Sequence, residues 1–170
     1  MLYFMEVVIR EAREDDLDDV AALSRLVLED TWEKYAREYY PRRALDFDLS
    51  VHNPDNYRKK LANPDVVYFV AVVDGKIVGV AMCGVWGDSG LASLKWICVH
   101  PSYQRRGIGS LLMERIIDFC RGRGCHKITL YTMPVLRPAI NFYLKFGFVP
   151  EALLRRHWWG VDFVVMSKML

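Results

Sequence analysis

The chain has 170 residues, of which 52% are hydrophobic and 26% are charged. This composition is typical of a folded globular protein and excludes a disordered chain, and the length predicts a single domain over residues 1–170. No apolar run approaches the roughly 18 residues of a membrane-spanning helix, so we expect no membrane partner. The net charge of +2 is too small to indicate a nucleic-acid-binding surface.

The cysteines and the N-terminus indicate the compartment. Cys83, Cys98, Cys120 and Cys125 form no CxxC pair and lack the spacing of a zinc site or a secreted disulfide framework. We therefore expect buried free thiols, no metal and a cytoplasmic protein. Met1–Met5 is apolar, but it is too short for the hydrophobic region of a signal peptide.

The hydrophobic pattern predicts elements in the order β-α-α-β-β-β-α-β-α-β-β. The first half comprises a strand over Glu6–Arg10, a helix that begins at Asp15 or Asp16 and ends before Pro41, a short helix from Asn53 to about Asn63, and strands over Val66–Val73, Lys76–Cys83 and Leu91–Val99. The second half comprises a helix over Ile108–Cys120, a strand over Lys127–Met133, a short helix ending at Gly147, and strands over Phe148–Leu154 and Val161–Met169. Adjacent hairpins and one strand–helix–strand crossover predict an α/β (α+β) fold: one mixed, mostly antiparallel sheet of about seven strands with helices on both faces.

The segment Gln104–Ser110 carries the strongest chemical signal, because it joins a predicted strand to an amphipathic helix. Gly107 and Gly109 remove side chains where the backbone can approach a ligand closely. The first helical turn offers unpaired N–H groups at the positive end of the helix dipole, and Arg105 and Arg106 add positive charge. The segment therefore predicts a phosphate or pyrophosphate site, while a glycine-rich turn with solvated arginines is the competing interpretation.

Within this segment, Gln104–Gly109 is neither a dinucleotide fingerprint, since Leu112 replaces the third glycine, nor a P-loop, since no Gly-Lys-Ser/Thr occurs. It resembles the Q/R-x-x-G-x-G/A signature of the GCN5-related N-acetyltransferases. Trp96–Pro101 resembles the fourth strand of that family, and Ala139–Phe148 resembles its A-x-x-x-Y-x-x-x-G-F helix and strand. The likeness covers essentially the whole chain.

The resemblance implies acetyl-CoA as the cosubstrate. The amides of Arg105–Ser110 would cradle the CoA pyrophosphate, and the pantetheine arm would pair with the backbone at Ile97 and Val99. The family fold implies that Leu94–Val99 splays away from Ile128–Met133 at that point. The residues assigned to the cofactor are Ile97, Cys98, Val99, Gln104, Arg105, Arg106, Gly107, Ile108, Gly109 and Ser110.

The expected reaction assigns a role to Tyr143. A primary amine must lose a proton before it attacks the thioester directly, through a tetrahedral intermediate whose oxyanion a backbone N–H can hold. The departing thiolate then needs an acid, and Tyr143 matches the family's tyrosine that supplies this proton. The competing interpretation is a helix aromatic that only packs in the core.

The chain departs from the family pattern at three positions. Ser93 stands where many members carry a glutamate on the fourth strand, and Tyr131 stands where relatives of the ribosomal-protein acetyltransferase carry one on the fifth. Leu136 replaces an asparagine that touches the cofactor. The sequence therefore does not identify the general base. If the amine loses its proton through a chain of water molecules, no dedicated base is needed. The remaining candidates are Asp88, Glu33 and His100.

The acceptor is expected between the first two helices and the last hairpin, as in the family. Aromatic and acidic side chains there suit a cationic amine, and a solvated acidic helix face is the competing interpretation. Leu154–Met166 resembles the R-R-x-Y-Y…D-A-x-x-M ending of protein N-terminal acetyltransferases, which favours a protein or peptide amine. The residues assigned to the acceptor are Trp32, Glu33, Tyr35, Trp158 and Trp159.

Three functions stay open. The leading hypothesis is an acetyl-CoA-dependent N-acetyltransferase of a protein or peptide amine. A second is an acetyltransferase of a small amine such as a polyamine, an amino acid or an amino sugar. A third is a non-catalytic acyl-CoA-binding module, which the changes at Ser93 and Leu136 would fit and Tyr143 speaks against. The sequence leaves a monomer and a homodimer equally open.

Overall fold

Strands and helices follow one another in the predicted order, with one additional helix before Asn53. The computed structural model describes residues 6–170, so the expectation about Met1–Met5 lies outside the described residues. Within residues 6–170, the seven strands are β1 (Val8–Glu11), β2 (Val66–Val73), β3 (Lys76–Val85), β4 (Leu91–Val99), β5 (Lys127–Thr132), β6 (Val149–Leu154) and β7 (Phe163–Met169). Over the same residues, the five α-helices are α1 (Leu17–Thr31), α2 (Arg42–Val51), α3 (Pro54–Leu61), α4 (Ile108–Gly122) and α5 (Arg137–Lys145).

The seven strands form one sheet in the order β1-β2-β3-β4-β5-β7-β6. Local hairpins make most pairs antiparallel; β2 and β3, for example, are joined by Asp74 and Gly75, whose φ angles of 48° and 75° suit a tight hairpin turn. Helix α4 crosses over between β4 and β5, which makes that pair parallel. The predicted mixed, mostly antiparallel sheet is confirmed.

Helices cover both faces of the sheet because its central strands are apolar on both sides. Along β2, Phe69 and Ala71 lie in the core that contains α4, whereas Tyr68 and Val70 lie in the core that contains α1 and α3. This alternation is the two-residue period of a strand. It confirms the expectation of helices on both faces.

The region between Thr31 and Asn53 differs from the prediction. Pro41 was expected only as a break, but it also serves as the N-cap of α2, with an extended backbone that lets a new helix begin at Arg42. Before it, Trp32–Ala36 widens the end of α1 into a π-helical turn. The next helix begins as predicted, since the Asn53 side chain caps it by accepting a hydrogen bond of 2.9 Å from the Asn56 N–H.

Helix α2 is held by a third, smaller core. Ala36, Tyr40 and Ala44 are buried there against Trp159 and Phe163, together with residues that follow β5. Beside this core, the Tyr39 hydroxyl donates to the Asp162 carbonyl at 2.9 Å and accepts from the Asp162 N–H at 3.0 Å. The segment from α1 to α2 is therefore fixed against the β6–β7 end of the sheet.

The four cysteines are free and buried, as predicted. The Sγ atoms of Cys83 and Cys120 lie 3.6 Å apart on the α4 face of the sheet. Cys98 is buried on the opposite face. Among residues 6–170, no helix is both long and apolar enough to span a lipid bilayer.

Candidate active site

The sheet forks between β4 and β5. The two strands pair only over Leu91, Ala92 and Ser93, although β4 continues to Val99. The register between β3 and β4 shifts at the same place, which leaves Lys95 as a bulge. A bulge bends a strand and re-aims its side chains. The predicted splay of these strands is confirmed, and one edge of β4 beyond Ser93 is left without a partner strand.

A cleft of about 500 Å³ occupies the fork. One wall is formed by residues 94–97 of β4, and the opposite wall by residues 130–133 at the end of β5. Helix α5 contributes Ala139 and Tyr143. The remaining lining comes from the α1–α2 segment and from the connection between β6 and β7, so the small core beside α2 closes this end of the cleft.

The loop from β4 to α4 is folded tightly against the end of the strand. Gln104 Nε2 donates to the Val99 carbonyl at 3.0 Å. Arg105 and Gly107 adopt left-handed backbone conformations, with φ of 61° and 83°. A left-handed arginine is uncommon and costs some free energy, so the path of this loop is imposed by the surrounding structure.

The N-terminus of α4 is open to a ligand. Gly107 is its N-cap and provides no side-chain hydrogen bond, and no acidic residue lies in the first turn. No hydrogen bond among the described residues uses the N–H groups of Ile108, Gly109 or Ser110. Such groups at the positive end of a helix dipole bind phosphate readily. The chemistry of this turn fits the pyrophosphate of acetyl-CoA.

Packing inside the protein does not require a glycine at the position of Gly109. A Cβ atom there would lie 3.5 Å from the ring of Phe142 and 3.8 Å from Val99, which are ordinary van der Waals contacts. Its φ angle is not left-handed either. The absence of a side chain therefore leaves space above the helix N-terminus, where a bound anion would lie.

The three β4 residues assigned to the cofactor differ in direction. Ile97 lines the cleft, and Ile97 and Val99 pack against the core that contains α4. Cys98 points into the opposite core, where burial raises the pKa of its thiol to about 12. Only its backbone can face a ligand at the free edge of β4.

Tyr143 lines the cleft from α5. Its ring packs against Phe148, with centroids 6.0 Å apart, and burial raises its pKa to about 12. No hydrogen bond within the described residues engages its hydroxyl. The phenol therefore keeps its proton at neutral pH, beside the cleft.

The three departures from the family pattern all lie at or beside the fork. Ser93 is buried in the last pair between β4 and β5, opposite Thr129. Tyr131 is half exposed and lines the cleft, with its ring 5.2 Å from that of Trp158. Leu136 lines the cleft as the N-cap of α5 and provides no capping hydrogen bond.

The three candidate bases lie outside the cleft lining. Glu33 is exposed and forms an ion pair of 3.1 Å with Arg37. Asp88 is exposed in the turn between β3 and β4. His100 accepts a hydrogen bond from the Ser102 N–H at 3.2 Å, which is the role of a turn residue. None of the three has the position that proton transfer in the fork requires.

The acceptor residues assigned from the sequence divide into two groups. Trp32, Trp158 and Trp159 line the cleft, and Trp32 is fixed because its Nε1 donates to the Tyr40 carbonyl at 2.7 Å. Glu33 and Tyr35 project to the surface and do not line it.

Helix α2 and its flanking residues also line the cleft; the sequence named Tyr40 and Asp48 among the aromatic and acidic side chains of the acceptor region, but not Phe47 or His52. Phe47, Asp48 and His52 line the cleft, as does Tyr40 just before the helix. The available signal was the spacing of the buried residues Ala44, Leu45 and Leu49, which follows one face of a helix. Within residues 6–170, no group of three or more potential metal ligands occurs.

Sequence comparison decides the family. The profile described as "Acetyltransferase (GNAT) family" matches residues 26–148, which include the fork, the α4 N-terminus and Tyr143. This chain belongs to the GNAT family. A GNAT enzyme is an acetyl-CoA-dependent N-acetyltransferase, so the chain transfers an acetyl group from acetyl-CoA to an amine.

Individual GNAT relatives extend over almost the whole chain. An N-alpha-acetyltransferase of Sulfurisphaera tokodaii is 28% identical over 177 aligned positions, which cover 97% of this chain and 94% of the relative. The PaiA N-acetyltransferase of Thermoplasma acidophilum, solved with coenzyme A, superposes with a TM-score of 0.83 at 20% identity, covering 98% of this chain and 100% of that one. The ribosomal-protein-S18-alanine N-acetyltransferase of Escherichia coli superposes with a TM-score of 0.71 at 21% identity, covering 96% of this chain and 94% of that one. These two structures share the GNAT fold with this chain.

Proposed function

We propose that the chain is a single N-acetyltransferase domain that acetylates the amine of a protein or peptide in the cytoplasm. The observation that carries the proposal is the cleft at the fork. It brings the free edge of β4, the phenol of Tyr143 and the aromatic rings of Trp32, Trp158 and Trp159 into one space. A transferase needs these three features together: a place for the donor, an acid and a binding surface for the acceptor.

Two further observations support a protein or peptide over a polyamine. The relative that is similar over 97% of the chain is an N-alpha-acetyltransferase. In addition, Arg155 and Arg156 are exposed on the hairpin between β6 and β7. Two exposed cations repel a polyamine but tolerate the carbonyl groups of a peptide. The free buried thiols support a reducing compartment.

The residues of the chain would act in sequence on the two substrates. Acetyl-CoA supplies the activated acetyl group. The backbone of Arg105–Ser110 holds its pyrophosphate, and the free edge of β4 orients the pantetheine arm at Ile97 and Val99. The neutral amine attacks the thioester carbon, and a backbone N–H on β4 stabilises the oxyanion of the tetrahedral intermediate. Tyr143 then donates its proton to the departing sulfur.

The test is release of free CoA thiol from acetyl-CoA in the presence of different acceptors. One set contains short peptides with free N-terminal Ala, Ser or Met, and a matched set has the α-amine blocked but keeps an internal lysine. A third set contains spermidine, free amino acids and glucosamine. We expect thiol release with the free N-terminal peptides. Release with the third set alone would replace the proposal by a small-amine transferase, and tight acetyl-CoA binding with no release would favour a non-catalytic module.

A further inference from the structure

Among the described residues that line the cleft, Asp48 is the only carboxylate. It lies on α2, on the acceptor side of the fork, and its side chain is partly buried. The carboxylates that the sequence offered as bases, Glu33 and Asp88, are exposed and lie outside the cleft. Any direct interaction between an acidic side chain of the described chain and an amine in the cleft therefore involves Asp48.

The carboxylate of Asp48 is held in place but is not neutralised. The Tyr40 hydroxyl donates to its Oδ2 atom at 2.9 Å. No arginine or lysine within residues 6–170 lies within ion-pair distance of it, whereas the exposed Asp46, two residues earlier on the same helix, pairs with Arg42 at 2.8 Å. A partly buried carboxylate without a cation loses hydration that one neutral hydrogen bond does not fully replace. A bound cation would supply the missing partner.

The surroundings of Asp48 favour an organic cation. Aromatic rings from α2 and from the β6–β7 connection stand beside it, and Phe47 packs on Trp159 with centroids 5.5 Å apart. Two tryptophans of the cleft lining already attract cations, since the guanidinium of Arg42 lies 5.7 Å from the Trp32 ring and that of Arg43 lies 5.9 Å from the Trp159 ring. An ammonium group is stabilised by such ring faces and by the carboxylate at the same time.

We propose that Asp48 binds the ammonium group of the acceptor in the cleft and removes the proton that must leave before acetyl transfer. This inference rests on the proposed function. One N–H bond of the ammonium group breaks, its proton moves to a carboxylate oxygen of Asp48, and the electron pair stays on the nitrogen. That pair forms the new C–N bond as the C–S bond breaks, and Tyr143 gives its own proton to the sulfur. Both residues then return to their starting states by exchange with solvent.

The other ionisable groups of the cleft are less suited to this role. His52 accepts or donates a hydrogen bond to the Tyr57 hydroxyl, and burial lowers its pKa to about 4, so it is a weak base. Lys95 is a cation and would repel an ammonium group. Burial raises the pKa of Asp48, which makes it a better proton acceptor than an exposed aspartate. The titratable groups that line the cleft together with Asp48 are Tyr40, His52, Lys95, Tyr131 and Tyr143.

Steady-state kinetics against pH test the proposal with Asp48→Asn, a variant that keeps the shape and the hydrogen bond from Tyr40. With an N-terminal alanyl peptide as acceptor, we expect kcat/KM for the peptide to fall about a hundredfold at pH 7. The loss should shrink as the pH approaches the pKa of the peptide amine, because the acceptor then arrives neutral. Asp46→Asn on the same helix is the matched control and should keep the wild-type profile. Equal rates and pH profiles in Asp48→Asn and wild type would overturn the proposal.

A binding measurement keeps this test independent of turnover. Calorimetry compares the alanyl peptide with an analogue in which a hydroxyl replaces the α-amine, each added to the protein with CoA. Wild type should prefer the amine at least tenfold at pH 7, and Asp48→Asn should lose that preference. Failure of the proposed function would appear as no thiol release by wild type with any peptide. Failure of the Asp48 assignment would appear as an equal preference in both proteins.

Discussion

At the scale of single residues, the environment of Tyr143 fits the role of proton donor that we propose for it. Burial raises its pKa to about 12, and the residue lines the cleft. A phenol with this pKa stays protonated through the whole range in which an amine acceptor is assayed. Its ring is simultaneously packed against Phe148, so the hydroxyl can be tested separately from the ring.

Tyr143→Phe removes the hydroxyl and keeps the packing. We expect kcat to fall about a hundredfold, because general acid catalysis contributes roughly that factor or more. The dissociation constant of acetyl-CoA and the melting temperature should change little. Steady-state kinetics and thermal denaturation measure these quantities.

Tyr131→Phe is the matched control for Tyr143→Phe, since Tyr131 also lines the cleft, from β5. It should retain a rate close to that of wild type. If Tyr143→Phe also retains that rate while chemistry limits turnover, Tyr143 serves only in packing.

His52 gives a stability prediction with a defined sign. The pKa of an unfolded histidine is about 6.5, and burial lowers that of folded His52 to about 4. The contribution of neutral His52 to the stability of the fold is complete above pH 6.5. It is lost as the pH falls towards 4, because only the unfolded chain takes up the proton in this range. The free energy of unfolding should therefore fall by about 2 kcal/mol from this group between pH 7.5 and pH 5.

Urea denaturation of His52→Gln at both pH values measures that contribution. The variant should lose less stability at pH 5 than wild type does, since the other titrating groups are common to both and cancel. An identical pH dependence in wild type and His52→Gln would contradict the assigned shift.

At the scale of elements, the N-terminus of α4 combines an unusual cap with unused N–H groups. We expect acetyl-CoA at a hundred times its dissociation constant to stabilise the protein by about 2.7 kcal/mol. For a domain of this size, that corresponds to roughly 5–10 °C in melting temperature. Gly109→Asp should abolish the shift, because it places a negative charge against the pyrophosphate.

Gly109→Ala is the control for charge, since its Cβ meets only ordinary contacts in the protein. It should fold normally and keep a larger share of the thermal shift than Gly109→Asp. A shift of wild-type size in Gly109→Asp would remove the assignment of the pyrophosphate to this turn.

The elements also show what a sequence can reveal. The Q-x-x-G-x-G segment, the strand before it and the helix with Tyr143 each carry a local pattern, so the strand, loop and helices that frame the proposed cofactor site were predictable. Helix α2 was missed because Pro41 ends one helical segment and begins the next, and proline was interpreted only as a break. Its contribution to the cleft depends on packing across the sheet with Trp159 and Phe163, which no local pattern encodes.

At the scale of the whole molecule, burial of all four cysteines predicts their reactivity. Native protein should react only slowly with a thiol reagent such as DTNB, and four thiols should react once the chain is unfolded. The pair Cys83 and Cys120 makes this test strict. Their sulfur atoms are 3.6 Å apart in the reduced state, so an oxidising compartment would favour a disulfide between them. Fewer than four thiols in the unfolded, non-reduced protein would show a disulfide and contradict the expected reducing compartment.

The fork also divides the sheet mechanically. Strands β1–β4 form one plate and β5, β7 and β6 form the other, and within residues 6–170 three strand-pairing positions, at Leu91, Ala92 and Ser93, join the two plates. The strands within each plate pair along most of their length, so backbone hydrogen bonding across the sheet is sparsest at the seam between β4 and β5. A substrate that hydrogen-bonds along β4 beyond Ser93 would extend the backbone pairing across this seam. We therefore expect such a substrate to strengthen the connection between the two plates.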